Sequence, residues 1–141
     1  MEKEFVPYEL ALRMKTLGFN ENCYRVGNPN GAICWRFMDV AGVEGVGIDD
    51  ILLEKFDKLW WVEIPTFSQA FRWFRERDFH TTIESYHCLG NDRPFGLGID
   101  QKINGIWDYV DYSGDGNFDT YEEAQIKAIE SILEIMEKKI P

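Results

Sequence analysis

Asp111-Tyr-Ser113-Gly-Asp115-Gly116-Asn117-Phe118-Asp119-Thr120-Tyr121-Glu122 runs into seventeen residues, Glu123 to Lys139, with no glycine or proline among them. The first part reads as an acid-rich loop and the second as the longest helix this chain can make. Tyr121, Ala124, Ala128, Ile132, Leu133 and Met136 recur at helical spacing and form one apolar stripe. Thr120 is placed to cap the helix, with Glu123 three residues on to complete a capping box. The spacing therefore predicts a helix that buries the side beginning at Tyr121 and leaves Glu122 and Glu123 in water.

Two accounts of the loop fit its residues. A twelve-residue calcium loop takes oxygen ligands from positions 1, 3, 5, 7, 9 and 12 and a glycine at 6. Counted from Asp111, these are Asp111, Ser113, Asp115, the carbonyl of Asn117, Asp119 and Glu122, with Gly116 at the sixth place. Ile103, Ile106, Trp107 and Val110 would give an entering helix its apolar stripe. Against calcium, the residue after Glu122 is Glu123 where such a helix wants an apolar side chain, and no second loop of this kind exists for pairing. Trp107, Tyr109 and Val110 also suit a strand. The metal-free account makes Ser113-Gly-Asp-Gly116 a turn and leaves the acids at the positive end of the helix.

Working back from this stretch, the chain before it alternates helix and strand patterns. Pro7 followed by Leu10, Ala11, Met14 and Leu17 predicts a short amphipathic helix over 7–17, closed by Gly18 and Phe19. Tyr24–Val26 and Ile33–Phe37 read as two strands about Gly27-Asn-Pro-Asn-Gly31, with Ile33, Trp35 and Phe37 on an apolar face. Gly42–Gly47 reads as a loop with no phosphate-binding grammar after it, Ile51–Lys58 as a turn of helix and Leu59–Ile64 as a buried strand. Pro65-Thr66-Phe-Ser-Gln69-Ala70 opens a helix whose core face is Phe67, Ala70, Phe71 and Phe74. Phe79–Tyr86, Phe95–Ile99 and Gly105–Tyr112 then predict three antiparallel strands in a meander. Thr66-Phe-Ser-Gln-Ala70 returns as Thr120-Tyr-Glu-Glu-Ala124, two helix starts solving one docking problem against a shared sheet. The expected architecture is α+β in a single domain, 1–141: an antiparallel sheet of about five strands, hairpin plus meander, with three helices, two of them packed on it.

Composition restricts the function. A formal charge of −10 opposes binding to nucleic-acid phosphates, and 15% aromatic residues oppose disorder. Seven carboxylates and one lysine lie between Asp100 and Glu123. Cys23, Cys34 and Cys88 have neither zinc nor redox spacing and read as free thiols of a reducing compartment. No signal peptide and no bilayer-spanning run is visible, so a cytoplasmic protein is expected, with no membrane and no nucleic acid among its partners. His80 and His87 lack catalytic company. Glu84 with Asp100-Gln-Lys102 is a remote metal-dependent nuclease pattern set in acidic surroundings that repel phosphate.

The segments Phe5-Val-Pro-Tyr-Glu-Leu-Ala-Leu12, Pro65-Thr-Phe-Ser-Gln-Ala-Phe-Arg-Trp-Phe-Arg75 and Thr120-Tyr-Glu-Glu-Ala124 resemble a family of short uncharacterised proteins of gut anaerobes and their phages. The resemblance implies a small intracellular α+β protein of a mobile element and transfers no functional residue. The remaining expectation is a non-enzymatic protein-interaction module, binding a protein partner or a second copy of itself. Its anchor is Trp73, about 100° off the core face of its helix, with Arg72 or Arg77 beside it. Calcium at the acidic loop is the alternative.

Overall fold

The computed structural model describes residues 2–36, 47–48, 61–85 and 93–140, which group into two compact units divided between Thr66 and Phe67. The expected helical turn at 51–58, the glycine loop up to residue 46, Phe37, His87 and Cys88 lie outside the described residues. The class is α+β. Hairpin and meander are both present but belong to two different sheets, which together hold seven strands among the described residues, so the single five-stranded sheet is corrected.

In the first unit a 3₁₀ turn, Glu2–Glu4, precedes helix α1, Tyr8–Thr16. The predicted glycine stop is present in full: Gly18 has φ 103, its N–H donates to the Lys15 carbonyl, and the Phe19 N–H donates to that of Met14. Leu10, Ala11 and Met14 are buried, and α1 packs on strand β4. The sheet order is β3 (Gly47–Ile48), β2 (Ile33–Arg36), β1 (Arg25–Gly27) and β4 (Val62–Ile64), antiparallel except for the β2–β3 pair. Asn28 forms the hairpin turn, its Oδ1 accepting the N–H groups of Asn30 (3.0 Å) and Ala32 (3.2 Å), while Gly31 takes φ 84. Ile33 is exposed, contrary to its expected place on an apolar face, and Cys23 is a buried free thiol as expected. A Cβ at Gly27 would stand 2.9 Å from both Ile64 Cδ1 and Tyr8 Cδ2, so glycine there permits the close approach of α1.

In the second unit the order is helix α2 (Phe67–Arg75), strands β5 (Phe79–Ser85), β6 (Phe95–Ile103) and β7 (Ile106–Phe118), and helix α3 (Tyr121–Lys138). The strands form an antiparallel meander with β6 in the middle. Both helices begin directly after their threonines. At Thr120 the hydroxyl accepts the Glu123 N–H at 3.1 Å, and Glu123 Oε2 reaches back to the Asp119 N–H at 3.1 Å. The burial phase of α3 is the predicted one: Ala124, Ala128, Ile132 and Leu133 are fully buried with Ile129, whereas Glu123 is exposed. Tyr121 departs from the stripe at 45% exposure, its ring edge-on to Phe95. Both helices contact the strands and each other, and Phe79, Leu97 and Ile99 fill the sheet face beneath them.

No described helix is long and apolar enough to cross a membrane. Replacing Thr120 with Ala removes the cap and is expected to cost about 1 kcal/mol, against roughly 2–5 kcal/mol for Leu133→Ala. Urea denaturation checks both, and equal losses would contradict the placement of Leu133 in the core.

Candidate interaction surface

The acidic stretch does not form the expected loop. Strand β7 continues through it to Phe118, pairing Asp111 with Ile99, Tyr112 with Gly98, Ser113 with Leu97 and Phe118 with Phe95. Between the last two pairs β7 advances five residues while β6 advances two, so the extra residues are an irregularity within the ribbon. The entering segment is likewise strand and not helix, the tendency that Trp107, Tyr109 and Val110 carry on their own. Of the proposed calcium ligands, Asp111, Ser113, Asp115 and Asn117 therefore stand on β7, Asp119 in the bend after it and Glu122 in the first turn of α3.

Two of these acids have protein partners. Asp111 Oδ2 accepts the Ser131 hydroxyl of α3 at 3.1 Å, tying the strand to the helix over it. Asp119 Oδ1 lies 3.4 Å from Arg93 Nε. Among the described residues no three His, Cys, Asp or Glu side chains converge as an ion site needs.

Trp73 is 2% exposed, which corrects its expected position at the edge of the buried face. The buried arc of α2 is Phe67, Ala70, Trp73 and Phe74, rotated so that Trp73 enters it and Phe71 is left half-buried. Arg77 acts on Trp73 from within the chain: its guanidinium carbon lies 3.8 Å from the indole centroid and its Nη1 donates to the Trp73 carbonyl at 3.1 Å. Arg77 thus closes the end of the helix, and Arg72 stays on the exposed side.

The exposed apolar groups lie instead on the β6–β7 ribbon. Its turn is Asn104-Gly105, with φ 52 and φ 82, the two-residue reversal that matches strand twist. Around it Ile103 (51%), Ile106 (71%), Trp107 (49%), Tyr109 (75%) and Val110 (37%) face water. Ile103 and Ile106 are cross-strand partners on the helix side of the sheet, so the ribbon outruns its helical cover. Trp107 and Tyr109 stand on the other side with Lys102 and Asp100, their cross-strand partners. Lys102 Nζ is 5.9 Å from the Trp107 centroid, and the His80 and Trp107 rings are 6.3 Å apart.

The same outer side carries Glu84, which sheet alternation brings to one face with Asp100 and Lys102. Glu84, Asp100 and Tyr109 line a shallow hollow, whereas Lys102 does not. Strand β7 has a neighbour on one side only among the described strands. Its outward edge is blunted: Asp108 Oδ1 accepts the Tyr109 N–H at 2.9 Å, and the register shifts by one residue at Val110. Contacts there fall to side chains more readily than to an added strand.

Comparison with known proteins returns no matching family, curated protein or solved structure.

Trp73→Ala is expected to cost about 3–5 kcal/mol of stability, read by thermal or urea melting, and a neutral result would contradict its enclosure. Calcium at millimolar concentration is expected to leave the melting temperature unchanged, because Asp111 and Asp119 are already engaged. A rise of several degrees would restore the ion site.

Proposed function

We propose that the chain is a non-enzymatic protein-interaction module whose contact surface is the free end of the β6–β7 ribbon. The observation that carries this reading is the exposure of Ile103, Ile106, Trp107, Tyr109 and Val110 together at one hairpin end. An isolated exposed isoleucine is ordinary on a protein surface. Five large apolar residues in one ribbon form a contiguous patch of the kind that marks contact sites. Trp and Tyr are also the side chains that most often dominate binding energy, since each brings a large rigid area with a polar tip. The acids around the patch, Asp100, Asp108 and Asp111, would form a polar rim and select against acidic partners. The reading keeps the interaction role expected from composition and moves its anchor from Trp73, Arg72 and Arg77 to Trp107 and Tyr109.

A photoreactive phenylalanine analogue at position 109 tests it in cells that make the protein. A discrete adduct with one protein species, or with a second copy of the chain, is expected at 109 and absent at the exposed helical position 134. The double variant Ile106→Asp/Tyr109→Asp should abolish partner binding while leaving the melting temperature nearly unchanged. Equal labelling at 109 and 134 would overturn the assignment of this surface.

A further inference from the structure

The hollow on the outer face of the second sheet arises from a pattern in β6. Phe95-Gly96-Leu97-Gly98-Ile99-Asp100 alternates, and the period of two sends Leu97 and Ile99 into the core at 2% and 0% exposure. Gly96, Gly98 and Asp100 consequently share the opposite face. Across the strands Gly96 meets Glu84, Gly98 meets Thr82 and Asp100 meets Tyr109. The result is a hollow of about 100 Å³ with a side-chain-free floor, Glu84 and Thr82 along one side, Tyr109 along the other and Asp100 towards one end. Two glycines inside a central strand weaken its packing, and such positions mark places where another group comes close to the backbone.

We propose that this hollow seats the guanidinium of an arginine on the protein partner, a proposal that rests on the interaction reading above and gives the partner its chemistry. The described lining holds two carboxylates and an aromatic ring and no cation. Lys102 is directed to the Trp107 ring, and His80 Nδ1 stands 4.0 Å from Asp100 Oδ2, at the outer limit of an ion pair. Glu84 and Asp100 are separated by four residue steps along the sheet, about 13 Å between backbones. One metal ion cannot ligate both at that separation. A planar cation with N–H donors at each end spans a wide gap better, lies flat on a glycine floor and stacks against a tyrosine ring. Guanidinium does all three and sheds its water more readily than an ammonium group. The chain's charge of −10 favours a basic partner over a second copy, which would set these carboxylates against their own kind.

The test is an NMR titration of the full-length protein with acetyl-arginine amide, using acetyl-citrulline amide as the neutral probe of the same shape. Saturable shifts are expected at the Gly96, Gly98 and Tyr109 amides with the arginine probe and not with the citrulline probe. Glu84→Gln should weaken the arginine response about tenfold, the weight of one charge-assisted hydrogen bond. Gly98→Val, which fills the floor of a regular strand, should remove it, with melting curves confirming that both variants fold. Equal shifts with the two probes, or none at these three residues, would overturn the pocket. Should position 109 still crosslink its partner in that case, the interaction surface stands and only its arginine specificity falls. Saturable arginine binding without any crosslink would support the pocket and count against the wider surface.

Discussion

The second unit depends on one constraint, the two-residue alternation of β6 at the centre of its sheet. Because β6 is paired on both edges, its backbone polar groups have partners and its two faces are defined by side chains alone. Leu97 and Ile99 give one face to the helices, and α3 answers with Ala124, Ala128, Ile132 and Leu133, all at 0% exposure. The small residues at 124 and 128 let the helix backbone come close to the sheet, while the larger ones further along fill the space that remains. A shift of β6 by one residue would bury Asp100 and the glycines and expose Leu97 and Ile99, so the register is strongly determined.

From that constraint the exposed features follow. A face given to helices leaves the other face open, and the open one carries Thr82, Glu84, Asp100, Trp107 and Tyr109. The Asn104-Gly105 turn lets β6 and β7 run past the region where the helices cover them, which exposes Ile103 and Ile106 on the side that is core elsewhere. An uncovered ribbon edge invites unwanted pairing. Here the Asp108 carboxylate on the Tyr109 N–H and the bulge at Val110 interrupt it, leaving a surface suited to recognition through side chains.

Much of this arrangement was legible in the residues. The threonine starts at 66 and 120, the stop at Gly18, the turn at Asn28–Gly31 and the burial phase of α3 are local grammar, and local grammar reads directly from a sequence. The fate of Asp111–Phe118 did not, because acids and glycines that suit a loop are also accepted by an edge strand when a neighbour such as β6 supplies the pairing. Trp73 was misplaced for a similar reason. On a nine-residue helix the angular difference between Phe71 and Trp73 is smaller than the freedom of the docking angle, and tertiary packing chose Trp73. Ile103, Ile106, Trp107 and Val110 were noticed as a helical stripe, whereas their importance lies in a hairpin that outruns its cover. The Gly96-Leu97-Gly98-Ile99 alternation was the available signal for the hollow, since two glycines at strand spacing must share a face.

Hydroxyl-radical footprinting of the isolated protein addresses the central claim most directly, that the exposed aromatic groups belong to the β6–β7 ribbon and not to α2. The account predicts rapid oxidation at Trp107 and Tyr109 and protection at Trp73 and Phe74. Fast modification of Trp73 with protection of Tyr109 would contradict it.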